Sequence, residues 1–379
     1  MKYRLKDICL TVTDGSHFSP KAVDEGIPML SVKDMREYGF DYSKCKKISD
    51  DDFEKMQKNG CVPLKGDVLV AKDGSYMKEI FICEETKEEA ILSSIAIFRP
   101  NINTVLPEYL CYLLKSPSVY SYIKNNCVSG SALPRIVLKT FKEVELEIPS
   151  IERQEKAVAI LRDIDKKIRI NEIINQNLSL QMTTIINDMR ASSTWSRNKL
   201  DDILVFYDHM RKPLSSRQRD GMQRNYPYYG ATAIVDYVDN YIFDGTYVLI
   251  SEDGANVVDK QGHPLIQYTH GKFWVNNHAH IVKGKNGFSE ASLFAMLKTL
   301  NMQSIVTGAA QPKINQANLK DYETELPNSE EAKQLSDILN PFLSQIIAND
   351  KESSSLVELR EALLPRLMSG ELGVSDLAF

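Results

Sequence analysis

The sequence predicts an α/β protein: two globular α/β domains separated by two long α-helices that form an antiparallel coiled coil, the whole carrying a pseudo-twofold internal repeat. Three observations predict this. The stretch SGSALPRI at 129–136 returns as TGAAQPKI at 307–314, and the offset of 178 holds without a gap from Ser129 against Thr307 to Met189 against Leu367. Over those 61 positions 14 are identical, among them Gly130 with Gly308, Pro134 with Pro312 and Pro149 with Pro327. That is several times the roughly one in fifteen that composition gives. Each copy also ends in a heptad seam, and the same order of strand and helix patterns precedes each copy.

The first domain is expected over residues 1–145. It opens on LKDI at 5–8; VLVAKDGS at 68–75 is an apolar strand running into an Asp-Gly turn, AILSSIAIFRP at 90–100 is a further strand, and LPEYLCYLLKSPSVYSYI at 106–123 has helical spacing. The first arm, 146–192, carries Leu161, Ile164, Ile168, Asn171, Asn175, Leu178, Met182, Ile185 and Met189 alternately three and four residues apart, the spacing of a coiled-coil seam. Pro149 stands just before the helix, where proline is tolerated, and Glu152 favours its first turn through the helix dipole. A helix from about Ile151 to Met189 would be on the order of 58 Å long. The second domain, 193–325, repeats the order with LDDI at 200–203, YVLISEDGAN at 247–256, FWVNNHAHIVKG at 273–284 and ASLFAMLKTL at 291–300. The second arm, 326–379, begins behind Pro327 with Glu330 in its first turn. Pro341 and Pro365 predict a kink or an early end to it. Pairing is expected between Leu161, Ile164, Ile168, Asn171 and Leu178 of one arm and Leu339, Phe342, Ile346, Asn349 and Leu356 of the other. Asn171 and Asn349, at matching seam positions, would fix the register.

With 379 residues, 43% hydrophobic and 26% charged, the chain has the composition of a soluble protein with two real cores. The opening MKYRLKDICLTVTDG lacks the apolar stretch of a signal peptide and no run of 18 apolar residues occurs, so a cytoplasmic location is expected. All six cysteines fall in the first third without a CxxC pair, which predicts reduced, partly buried thiols rather than disulfides or zinc. A net charge of −5 argues against indiscriminate coating of nucleic acid. Against that background residues 207–224, YDHMRKPLSSRQRDGMQR, place Arg211, Lys212, Arg217, Arg219 and Arg224 against only Asp208 and Asp220.

Catalytic chemistry is hard to find. No phosphate-cradling GxxxxGK[ST] and no glycine-rich dinucleotide loop is present, and NYPY at 225–228 lacks an accompanying cofactor loop. Asp73 with Glu85-Thr86-Lys87 has the letters of a metal-dependent nuclease, yet the triplet reads as a solvated loop and Asp73 is explained by its turn. His278 and His280 share the parity of one strand face, but no third ligand stands at a supporting spacing, so they read as polar groups on an open strand face. What remains suits DNA reading. Glycine-bearing loops recur, and Lys72, Ser75, Tyr76, Lys78, Arg135, Tyr228, Tyr229, Asn256, Gln311 and Lys313 join the basic stretch as side chains able to reach phosphates or base edges.

The segments SGSALPRIVLKTFKEVELEIPSIERQEKAVAIL and TGAAQPKINQANLKDYETELPNSEEAKQLSDIL, with Asp253-Gly254-Ala255-Asn256 and Tyr228-Tyr229-Gly230-Ala231, resemble the specificity subunits of type I restriction-modification enzymes over essentially the whole chain. The first domain lacks a clear counterpart of YPYYGA. The resemblance implies a non-catalytic subunit whose two target-recognition domains each read one half of a gapped site on double-stranded DNA. It implies helices that dock two modification (methyltransferase) subunits and space the half-sites. S-adenosylmethionine, ATP and Mg²⁺ would belong to partner subunits, with ATP-driven translocation and cleavage carried by a separate restriction subunit. The rival reading is a duplicated coiled-coil scaffold that binds no DNA.

Overall fold

The structure, a computed structural model, describes residues 1–74, 76–130, 134–308 and 310–372. It divides into two compact units, one formed by Met1–Lys167 with the segment from Ser355 on, the other by Ile168–Ser354. Ser75, together with Ser131, Ala132, Leu133 and Ala309 of the repeated stretches, lies outside the described residues.

In the first unit a four-stranded sheet is built from β1 (Cys9–Asp14), β4 (Val68–Ala71), β5 (Ile80–Ile82) and β7 (Ile95–Pro100) in the order β1-β7-β4-β5, with all neighbours antiparallel. Both faces of β4 are covered, which is why VLVA is apolar throughout. Val68 and Val70 pack with Phe98, Tyr109 and Leu110 on one side, Leu69 and Ala71 with Leu30 and Ile97 on the other. Tyr109 and Leu110 come from α1 (Pro107–Lys115), which is followed at Pro117 by α2 (Pro117–Asn126). Each helix has proline at its start, where the missing N–H costs no helix bond. A smaller sheet joins β2 (Ile27–Leu30) to β3 (Lys46–Ile48) antiparallel and to β6 (Ala90–Ile91) parallel.

The second unit repeats this plan. Strands β8 (Leu204–Phe206), β12 (Tyr247–Ser251), β13 (Ile266–Thr269) and β15 (Ala279–Gly284) form a sheet in the order β8-β15-β12-β13. Helix α3 (Glu290–Leu297) packs with Val248, Ile250 and Val282 on one face. A second sheet has the order β10-β9-β14-β11, from β9 (Tyr226–Tyr229), β10 (Ile234–Val238), β11 (Phe243–Asp244) and β14 (Lys272–Val275). Here β9 pairs with β14 parallel and with β10 antiparallel, the same relations that β2 has with β6 and β3. The first body therefore has a counterpart of YPYY after all. It is IPML at 27–30, with Pro28 in the place of Pro227. The two apolar runs expected as single strands are each broken, at 92–94 and at 276–278, where the chain leaves one sheet to enter the other.

The arms are continuous helices, Ile151–Ser192 and Ser329–Ser369. Pro341 and Pro365 do not end the second one. Each removes one backbone donor, and burial of the flanking Leu339, Leu343 and Leu367 holds the turn in place. Each arm also starts against its own body. In the first unit the buried Gln154 accepts the Leu106 N–H at 2.8 Å and donates to the Thr104 and Pro149 carbonyls, both at 2.9 Å. In the second, Ser336 sits 2.8 Å from Ser292 Oγ and accepts the Ser289 N–H at 2.9 Å.

Within each unit the two arm segments run antiparallel. In the first, Arg360 reaches Asp165 at 2.7 Å, while Ala157 and Leu161 share a core with Leu367 and Met368. In the second, Asn171 Nδ2 reaches Glu352 at 2.8 Å and the Asn349 carbonyl at 3.4 Å, and Asn349 Nδ2 donates to Asn175 Oδ1 at 2.8 Å. Leu161, Ile164, Ile168, Asn171, Leu339, Ile346 and Asn349 are buried, and Leu178, Phe342 and Leu356 half-buried. Among the described residues no helix is long and apolar enough to cross a membrane.

Candidate nucleic-acid interface

The repeated glycine-to-proline stretch performs the same task in both bodies. Ile136 N–H donates to the Lys72 carbonyl at 2.9 Å, and Ile314 N–H donates to the Glu252 carbonyl at 2.9 Å. The next residues out, Asp73 with Arg135 and Asp253 with Lys313, form matching antiparallel bridges. Each stretch thus latches the Asp-Gly turn at the end of the central strand. The glycines that begin it, Gly130 and Gly308, have φ of 89° and 85°, the left-handed region that glycine adopts without strain. A Cβ at Gly308 would also lie 2.3 Å from the Gln311 carbonyl oxygen.

Charge at the latch is inverted between the bodies. In the first, Lys72 is buried, its ammonium 3.3 Å from both Asp14 and Asp73. It is a support and not the free cation that its sequence context suggested. In the second, Glu252 accepts from Arg211 at 2.6 Å and from Lys313 at 3.0 Å. Burial pushes the Glu252 carboxyl up, but the bonds from Arg211 and Lys313 outweigh it and hold it below its ordinary range. Asp208 behaves alike: burial raises it, and the bond to His280 helps bring it below the usual carboxylate value.

His280 departs from its expected place on an open face. It is 1% exposed, with Nδ1 2.6 Å from Asp208 Oδ2 and Nε2 2.9 Å from the Ile314 carbonyl. His278 stands in the turn before β15 and pairs with Asp253 at 2.5 Å. Asp208, Glu252 and His280 bring ligand atoms within 4.8 Å of one another, a third-ligand arrangement that spacing along the chain concealed. Their donor atoms are already committed to Arg211, Lys313 and the Ile314 carbonyl, so the cluster is an internally neutralised brace for the loops.

The basic stretch splits into two kinds of residue. Arg211 also donates to the Ala279 carbonyl at 2.9 Å, and Arg219 binds Asp236 at 2.8 Å with its guanidinium 4.8 Å from the Tyr228 ring centre. Both are only 15% exposed, and both fasten the segment to the body. Tyr228 is likewise interior, its hydroxyl accepting the Leu214 N–H at 2.9 Å. Composition could not separate these from Lys212, Arg217 and Arg224, which are exposed. Asn256, Gln311, Arg135 and Lys78 are exposed too. Lys313, Tyr229 and Tyr76 are half-buried, Tyr76 stacking on Tyr120 with ring centres 6.5 Å apart.

Two α/β bodies, each with a latched turn and each followed by a long helix, are the architecture of an internally duplicated protein. The family model for the type I restriction modification DNA specificity domain matches residues 1–180 and again 192–358, and the chain belongs to this family. Two Haemophilus influenzae relatives are each 33% identical over 144 and 119 residues, spans that take in 38% and 30% of this chain but only 36% and 25% of those proteins. The second of them is the type I restriction enzyme HindI specificity subunit. The MjaIX specificity subunit of Methanocaldococcus jannaschii is 24% identical over 312 residues, 72% of this chain and 71% of its own length. In fold, the chain is similar to the S subunit of a type I restriction-modification system from M. genitalium, with a TM-score of 0.54 at 16% identity over 97% of this chain and 96% of that one.

Proposed function

We propose that this chain is the DNA-reading subunit of a type I restriction-modification complex, that each body reads one half of a bipartite, gapped site, and that the chain itself is non-catalytic. The observation that carries the reading is the duplicated latch, the same backbone bond from Ile136 and Ile314 holding a turn on each body. In this reading the arms dock two modification subunits and set the length of the unread gap. Partner subunits bring S-adenosylmethionine, ATP and Mg²⁺ to a cytoplasmic assembly that includes restriction subunits.

The exposed Lys212, Arg217 and Arg224 of the second body and Lys78 and Arg135 of the first supply phosphate contacts, and Asn256 and Gln311 offer amides for base edges. Arg211, Arg219, Lys72 and Tyr228 act one step back, holding the loops that carry these groups. The test is DNA binding by the complex assembled with its modification subunits. A steep fall of affinity with salt is expected, and Arg217→Ala and Arg224→Ala should each flatten the slope by about one unit without changing the preferred sequence. Affinity independent of salt, together with a methylome unchanged by deleting the gene, would leave the duplicated scaffold as the function.

A further inference from the structure

The ribbon formed by β9 and β10 carries apolar side chains into solvent at a place where a sheet edge normally carries charge. β10 is the edge of its sheet, and Ile234, Val235 and Tyr237 are 42%, 56% and 42% exposed. Their exposure is built in. The register slips between Tyr228, which faces Asp236, and Tyr229, which faces Ile234, so Val235 is the extra residue of a bulge. Bulges re-aim side chains. Gly230 leaves room for the result: a Cβ there would lie 2.7 Å from Val235 Cγ1.

Cations surround this apolar strip. Arg219 and Arg224 approach Asp236 of the same strand at 2.8 and 3.9 Å, and Arg224 remains 78% exposed. The Lys212 carbonyl accepts from the Trp274 indole Nε1–H at 2.6 Å, so the basic segment is laced across this sheet. Lys272 lies 4.6 Å from the Tyr241 ring centre. An apolar edge strand whose one acid, Asp236, is neutralised by Arg219, with the exposed Arg224, Lys212 and Lys272 on or against the same sheet, is complementary to the polyanion proposed above, a DNA duplex. The major groove, about 12 Å wide, admits such a ribbon, and the apolar feature it displays there is the thymine 5-methyl group.

We propose that the β9–β10 ribbon enters the major groove of the half-site read by the second body, and that Ile234 and Val235 select an A·T pair through its thymine methyl. This rests on the DNA-reading function proposed above and adds the residues and the chemical group. The assembled complex, its half-site defined as the one that changes when residues 193–325 are exchanged, is titrated with duplexes in which each thymine of that half-site is replaced by deoxyuridine. Removal of one methyl group should weaken wild-type binding by about tenfold. In the Ile234→Ser/Val235→Ser variant, which removes the side-chain methyl groups, the same replacement should have no effect while the other half-site is read as before.

A half-site without thymine, a wild-type complex indifferent to every replacement, or a variant as sensitive as wild type overturns the proposal. The wild-type titration decides even where the variant does not fold. Reduced self-association of the variant with unchanged DNA reading would assign the strip to a second copy of the chain, and the proposal falls. A wild-type complex with no sequence preference at all defeats the DNA-reading function itself, an outcome distinct from the others.

Discussion

Glu252 is where the loops of the second body converge, since its carbonyl holds the repeated stretch through Ile314 while its carboxylate holds Arg211 and Lys313. Burial raises this carboxyl and the two cationic partners lower it by more, leaving it below its ordinary value of 4.5. A carboxyl depressed in the folded state contributes stability that is fully present above its unfolded value and is lost as pH falls through the folded one. Glu252→Gln should therefore destabilise the second unit by roughly 1–3 kcal/mol at pH 7. The difference from wild type should shrink steadily below pH 4.5, and urea unfolding monitored at several pH values measures it. A difference constant from pH 7 to pH 3 would mean that the side chain acts through packing alone. This role was not legible in the sequence, because Glu252 is one acid among many until folding brings Arg211, 41 positions away, against it. The basic stretch misled for the same reason: Arg211 and Arg219 differ from Arg217 only in having Glu252 and Asp236 within reach.

The arms were the most legible elements, because a heptad seam is local information and every seam position from Leu161 to Met189 is buried or half-buried. The prolines misled, since a proline rule weighs one lost bond and cannot see the packing around Leu339 and Leu367. The IPML strand was invisible for another reason. Its kinship with YPYY lies in a parallel pairing, Met29 with Ala90 as Tyr228 with Trp274, and pairing leaves no mark on the letters. Register in the second unit is set by polar groups, the Asn175–Asn349 bond at 2.8 Å and Asn171 beside Asn349. Four residues inserted after Asn175 would advance the helix by about 6 Å and rotate its C-terminal portion by about 40° off the seam. If the arm sets the unread gap, sequencing the methylated sites of such a variant should give a longer gap, or no active complex should assemble. An active complex with the gap unchanged would leave the arms with docking alone.

At the scale of the molecule, the two bodies keep one backbone latch while reversing its charge, Lys72 with Asp14 and Asp73 in one, Glu252 with Arg211 and Lys313 in the other. A latch made by main-chain atoms tolerates such reversal, because the bond from Ile136 or Ile314 does not depend on the side chain of its acceptor. Each compact unit also contains its own sheets, its own core and its own paired arm segments. Side chains on the latched turns are therefore free to diverge, as Lys72 against Glu252 shows. If the two bodies read independently, replacing residues 1–145 with the corresponding domain of a relative should change one half of the methylated sequence and leave the other half intact. Modification should persist, because the seam from Leu161 onward is retained and Gln154 binds main-chain groups at 104 and 106, bonds that do not depend on the side chains there. Sequencing the methylome of cells that carry the hybrid gives the answer directly. A change in both halves at once would mean that the bodies read the site jointly, and the independence inferred from the duplicated latch would fail.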